Sequence, residues 1–300
     1  MKNMKETRIF LRGIFAAAMV IASAFTACLQ PTNNPSGVSP DNSPGNPPVT
    51  FTGITDFQAW LSQQPDNTTA ATYTVKLNVN NLGGDISTSG SVVAILRANS
   101  TKFVSLDLSG STFTGIEDDA FNSCANLTGI ILPSGVTTIG DRSFNRCTNL
   151  TSVNIPDGVT SIGGTAFNDC RNLTSITIPN SITSIGDGAF AFCASLASIT
   201  IPNKVTSIGF GVYQRCDSLT SIIIPSSVTS IGDRSFNENA KLTSVTFQGA
   251  IASGDFHNDA FKQLGDLRAK FYATNSTNGT PGMYTTKAPA SASSVWTKQP

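Results

Sequence analysis

The chain is poor in histidine, in charge and in long apolar runs. His257 is its single histidine, so a paired-imidazole metal site or His-based acid–base pair has no second member, while carboxylate chemistry is untouched by that shortage. Charged residues make up 13% of the chain, against about 25% in typical globular chains. Nineteen Lys and Arg match nineteen Asp and Glu. Without a basic excess to neutralise phosphates, nucleic acid is not an expected partner. There is no phosphate-cradling glycine loop, no metal-ligating His pair and no nucleophile elbow. No catalytic residue, cofactor or metal is therefore expected. A hydrophobic content of 39% is still enough for a large core.

The first residues read as an address. Lys2, Lys5, Arg8 and Arg12 precede an uncharged apolar run, Gly13 to Phe25, which is shorter than the ~20 residues that span a bilayer comfortably. Small residues then lead to a cysteine. This tripartite pattern predicts a signal peptide over 1–27. Phe25-Thr26-Ala27-Cys28 resembles a bacterial lipoprotein box, with Phe where Leu is usual. That resemblance implies cleavage before Cys28, lipidation of Cys28 and a membrane partner through the lipid anchor. The other reading is an ordinary signal peptide with a chance cysteine. Removing residues 1–27 takes away four basic residues and Glu6, leaving 15 basic and 18 acidic residues. Residues 28–50 carry Pro31, Pro35, Pro40, Pro44, Pro47 and Pro48 among Asn, Ser and Gly. Such a composition cannot offset its ordering entropy, so a disordered tether is expected, spanning about 25 Å as a coil and up to about 70 Å if extended.

Beyond it the chain repeats. Cys124, Cys147, Cys170, Cys193 and Cys216 stand 23 residues apart, and Phe121, Phe144, Phe167, Phe190, Tyr213 and Phe236 keep the same step. In the unit Leu173–Ser195, Leu173, Ile176 and Ile178 are expected to point inward from a short strand that Pro179 ends. Ile182 and Ile185 make a second apolar pair, Gly186 a turn, and Ala189, Phe190 and Cys193 fill the interior from a tight or 3₁₀ turn. One unit cannot bury such a face alone, whereas stacked units form one continuous core. Five regular units run from Leu127 to Lys241, with a 24-residue unit before them (103–126) and a degenerate 25-residue unit after (242–266).

Leu-x-x-Ile-x-Ile-Pro, then Val/Ile-Thr-x-Ile-Gly, then Ala-Phe-x-x-Cys resembles the BspA-like leucine-rich repeat family of bacterial surface proteins, and the N-terminal layout looks like its treponemal members. The resemblance implies a leucine-rich-repeat solenoid over 103–266, mainly β with short 3₁₀ or turn segments. It also implies adhesion at the cell surface: binding of a host-cell or matrix protein, or of another bacterial surface protein in coaggregation. A structural lipoprotein of the periplasmic envelope is the alternative.

Both ends need caps. Residues 51–102 predict an αβ cap: a helix N-capped by Thr55 or Asp56 and carrying Phe57, Trp60 and Leu61, a strand Tyr73–Val79, and a second helix Gly90–Ala98. Residues 267–300 predict a C-terminal cap closed by Leu267, Phe271 and Tyr272, then an irregular tail anchored by Tyr284 and Trp296.

The five ladder cysteines are expected to be buried free thiols, because a linear stack diverges from tetrahedral metal geometry and five cannot all pair. Disulfides and a metal remain the alternatives. Glu117, Asp118 and Asp119 read as a solvated acidic turn, with calcium as the alternative. Two columns of the repeat are broken by aromatics. Phe210 interrupts Asp141, Gly164, Asp187 and Asp233, and Phe192 interrupts Arg146, Asp169, Arg215 and Glu238. Both rings should be exposed, in consecutive units, as a candidate binding surface with Arg142, Arg146, Arg215 and Arg234 adding polar recognition. The other reading tucks both rings against neighbouring turns. The outward strand column, Ile131, Asn154, Thr177, Thr200, Ile223 and Thr246, either binds an extended segment or only keeps the protein soluble.

Overall fold

A computed structural model describes residues 48–84, 89–287 and 289–300. The expected leader, the lipidation site Cys28 and the tether as far as residue 47 lie outside the described residues. No helix among the described residues is long and apolar enough to cross a membrane.

Each repeat lays down three backbone-bonded segments. The first carries the inward Leu and Ile residues. In the early units it forms a parallel ladder in which Val49–Phe51, Tyr73–Leu77, Val104–Asp107, Leu127–Ile131 and Ser152–Asn154 are successive neighbours. A turn follows, closed by the proline carbonyl, as in Ile182 N to Pro179 O at 3.1 Å. The second segment is the two-residue strand of the Thr-x-Ile step. Thr138–Ile139, Ser161–Ile162 and Ser184–Ile185 stack in parallel register. The third is the turn around the Phe column. Asp119, Phe121 and Ser123 donate their amides to Asp141, Ser143 and Asn145 of the next unit, at 2.7–2.9 Å.

Phe121, Phe144, Phe167, Phe190, Tyr213, Phe236 and Phe261 stack with ring centroids 4.7–5.8 Å apart. The column lies inside the core beside the cysteine column. Such pairs contribute about 0.5–1.5 kcal/mol each beyond their area burial. The strand expected over Leu173–Ile178 is a correction. There the first ladder shrinks to a single bridge, Asn154 to Thr177, and resumes at Ser221–Ile224. The turn column stays bonded across the same steps, as in Phe167 N to Ala189 O at 2.8 Å and Phe190 N to Val212 O at 2.9 Å.

Gly186 opens the expected turn, its carbonyl accepting the Ala189 amide at 3.2 Å. Its φ is not left-handed, and glycine there also allows close approach. At the equivalent Gly163 an added Cβ would lie 2.5 Å from the Asp141 amide nitrogen and 2.6 Å from the Gly140 carbonyl carbon. Left-handed backbone falls instead in two other columns, Arg142, Thr165, Gly188, Gly211 and Arg234 in one, and Arg146, Asp169, Phe192, Arg215 and Glu238 in the other.

The N-terminal cap holds helix α1 (Ile54–Gln63) and helix α2 (Val92–Ala98). The N-cap of α1 is Gly53, not Thr55 or Asp56, and it makes no side-chain cap bond. Ser91 caps α2 by accepting the Ala94 amide. The first strand starts at Val49, two residues ahead of the expected cap boundary, because Val49–Phe51 extends the parallel sheet alongside Tyr73–Leu77. Lys102 is buried and donates to the Leu61 and Ser62 carbonyls at the end of α1 and to Asn99 Oδ1 at the end of α2. Asn126 donates to the carbonyls of Leu96, Asn99 and Lys102. Orphan helix carbonyls thus find their donors in the first repeat.

At the other end, helix α3 (Leu267–Phe271) buries Leu267 and Phe271. The described residues from 273 to 300, expected as an irregular tail that can fold back, are mostly irregular and do fold back, through two short strands. Gly282–Thr285 pairs antiparallel with the strand Ser244–Phe247, and Thr297–Lys298 pairs with Gly282–Thr285. Tyr284 and Trp296 are buried, as expected of anchors. An antiparallel strand closes a parallel stack that would otherwise end on an open core.

Candidate binding surface

The third segment faces solvent with the side chains that flank the buried Phe and Cys. Its amides bind the next unit, so its turns are held rigidly and the flanking residues are pushed into left-handed φ. Phe192 sits there at φ 61° and is 37% exposed, and Phe210, one unit on, is 46% exposed. A bulky side chain in left-handed backbone costs about 1–2 kcal/mol, and at Phe192 no burial offsets it. The units from Ser123 to Glu238 are all left-handed at this position, so the strain belongs to the turn, and what sets Phe192 apart is an exposed apolar ring where the other units are polar.

Each ring has a guanidinium over it from the following unit. Arg215 lies 5.5 Å from the Phe192 centroid and Arg234 lies 5.9 Å from the Phe210 centroid. Such exposed pairs contribute about 0.5–1 kcal/mol and fix the rings in place. Arg215 is in turn paired with Glu238, and Arg234 lies 3.9 Å from Asp233. Each ring thus carries its own arginine, and each arginine its own carboxylate, in neighbouring units. The two rings are exposed, and each leans against one arginine and not into a neighbouring turn.

The other two arginines lie elsewhere. Arg142 shares a column with Arg234 but stands four units before it, about 19 Å at strand spacing, and pairs with Asp119 at 2.8 Å. Arg146 is three units before Arg215 in that column, with Asp169 and Phe192 between. So the four arginines do not converge, and two of them serve the rings. Sequence reasoning missed the carboxylates that complete the patch. Glu238 follows Arg215 by 23 residues in one column, and opposite charges in adjacent rungs of one column are the signal that finds such pairs.

The remaining candidates resolve as structure. Asp119 is tied to Arg142, and Asp118 Oδ1 accepts the Asp141 amide at 2.7 Å. Asp187 Oδ1 likewise accepts the Phe210 amide at 2.8 Å, so this aspartate column carries backbone from unit to unit. Among the described residues no group of three or more His, Cys, Asp or Glu is placed to hold a metal. Cys124, Cys147, Cys170, Cys193 and Cys216 are free and buried. Cys147, Cys170, Cys193 and Cys216 each direct Sγ at the phenylalanine carbonyl of the preceding unit, at 3.1–3.3 Å. Burial pushes the Cys124 thiol up to about 12 and the other four well above the ordinary thiol range. They stay protonated and unreactive. In the last unit Asn239 does the same work with an amide, donating to the Tyr213 carbonyl and accepting the Cys216 amide.

A family model described as BspA type leucine rich repeat region matches residues 137–268 in six copies. Among solved structures, a leucine-rich repeat protein from Bacteroides ovatus is 30% identical over 58% of this chain and 40% of its own, with a TM-score of 0.48. The T. pallidum leucine rich repeat protein is 32% identical over 48% of this chain and 69% of its own, with a TM-score of 0.46. A leucine rich cell surface protein from Faecalibacterium prausnitzii is 22% identical over 61% of each chain, with a TM-score of 0.34. The match thus spans two fifths of the Bacteroides ovatus protein's length. No curated protein matches the chain.

Proposed function

The chain carries a BspA-type leucine-rich repeat region, and on that premise we propose that it is an exported lipoprotein, anchored through Cys28 to the outer membrane, whose repeats are displayed at the cell surface to bind protein. The partner is a host-cell or matrix protein, or a surface protein of another bacterium. One observation carries the binding part of this reading: two exposed phenylalanines in consecutive units, each backed by an arginine. Aromatic and arginine side chains dominate protein-binding hot spots, and the rigid turns beneath them reduce the ordering cost of binding. The display part rests on the leader and on the lipoprotein-like sequence ending at Cys28.

Treatment of intact cells with a protease that does not enter them tests the display. Loss of the protein is expected. Full protection of the chain, with digestion only after the envelope is opened, places it in the periplasm and overturns the proposal in favour of a structural envelope role.

A further inference from the structure

A second site lies on the strand face, where the N-terminal cap meets the first repeats. The turn Thr69–Ala71 borders an open cleft of about 440 Å³ on the sheet, within the ~300–1,000 Å³ of small-molecule sites. Its floor is formed at Ser105, Gly129 and Ser152, and Asn149 and Asn172 stand along one side.

Two local departures from the repeat make this space. The ladder shifts register between Val104 and Ser105, which sets Ser105 opposite Gly129. Irregularities of this kind re-aim side chains and concentrate beside binding sites. Gly129 itself stands where the five following units carry Ser152, Ser175, Ser198, Ser221 and Ser244. A Cβ at 129 would lie 2.9 Å from Ser105 Oγ and 3.5 Å from Ser152 Oγ. Serine there would fill the floor, and glycine keeps it open.

The polar groups of the lining are hydroxyls and amides, Ala70 and the threonine methyls add apolar surface, and no charged side chain contributes to it. The amides are oriented: Asn172 Nδ2 donates to Asn149 Oδ1 at 3.1 Å, and Asn149 Nδ2 donates to the Ala125 carbonyl at 2.7 Å. The Thr151 hydroxyl donates to the Thr128 carbonyl at 2.9 Å, and Asn172 Oδ1 and the hydroxyls of Ser105 and Ser152 are then available to a ligand. A phosphate, carboxylate or ammonium entering this cleft would lose hydration and meet no counter-charge. An apolar group would strip water from hydroxyls and replace none of their bonds. The matching ligand is neutral, small and rich in hydroxyls.

We propose that this cleft binds a neutral saccharide of one or two rings, free or at the end of a glycan. The site shares no residue with the Phe192–Phe210 patch, so the two stand or fall separately.

The test uses the full chain in a detergent without a sugar headgroup. Maltose, cellobiose, lactose and diacetylchitobiose are titrated by ligand-observed NMR, with sialyllactose and a neutral hexapeptide as competing classes. Binding of at least one neutral disaccharide is expected, with a Kd of about 1 mM or tighter. Gly129→Ser, which installs the residue of the other units, is expected to weaken it at least tenfold while the unfolding midpoint stays in place. The Phe192→Ser/Phe210→Asp double variant is expected to bind the sugar unchanged. An asialoglycoprotein and its enzymatically deglycosylated form separate the sources. Capture that needs the glycan assigns a protein-borne ligand, and binding of free disaccharide without capture assigns a free sugar. The proposal is overturned if no neutral sugar binds, if sialyllactose or the peptide binds in its place, or if Gly129→Ser binds as well as the parent chain.

Discussion

At the scale of single residues, the cysteine column shows why chemistry-bearing side chains need not carry chemistry. Five thiols are stacked and free, which satisfies the residue count of a redox chain or a metal wire. Burial instead raises every one of their pKa values. The sign of the linkage follows. Below about pH 8.5, the ordinary thiol value, folded and unfolded chains both hold these protons and the thiols cost nothing. As pH rises above it, only the unfolded chain releases them, so stability falls, by up to about 1.4 kcal/mol per pH unit for each thiol, until the folded-state pKa is reached. Denaturant melts between pH 7 and 11 should show this alkaline loss. A chain with Cys147 and Cys170 replaced by Ala should lose stability at neutral pH but show a shallower alkaline slope. In the native protein at pH 8, none of the five should react with a thiol reagent, and all should react once unfolded.

At the scale of elements, the caps decide where the stack holds. Asn126 satisfies three carbonyls at the junction of α2 with the first repeat. The Leu96 and Asn99 carbonyls also accept the Asn99 and Lys102 amides, so Asn126→Ala removes a side-chain donor from three carbonyls and orphans that of Lys102, and a loss of about 1–3 kcal/mol is expected. Hydrogen exchange should show that loss concentrated over 51–110. An evenly spread loss would mean that this amide does not tie cap to repeat. The sequence made the repeat, the αβ cap and the exposure of Phe192 and Phe210 legible, because each is written in period or in a broken column. What it hid has physical causes. Most of the left-handed turn positions carry Arg, Asp, Thr, Phe or Glu, and Gly stands only at 188 and 211 of the two columns, so glycine does not mark them as columns. Their conformation is imposed by amides bonding to the next unit. The closing strand Gly282–Thr285 is short, and its Thr-rich surroundings read as tail. Only the neighbouring strand Ser244–Phe247 gives it a partner. The cleft at Gly129 was visible only as a single Ser-to-Gly change in one column.

At the scale of the whole molecule, charge and bonding are sorted by face. The strand-face positions Thr128, Thr151 and Thr174, with Gly129, Ser152 and Ser175, carry no charge, while Asp, Glu and Arg collect on the turns. A stack of this kind is approximately a sum of units and interfaces, so changes to exposed turn residues should leave neighbouring units intact. That separates recognition from stability and makes the binding claim directly measurable. The deciding experiment compares the parent chain with the Phe192→Ser/Phe210→Asp double variant in a pull-down of host-cell surface proteins. Circular dichroism and the unfolding midpoint serve to confirm that the variant folds. The account predicts a protein captured by the parent chain and lost at least tenfold by the folded variant. Equal capture by the two would contradict it, and would move recognition away from the aromatic patch.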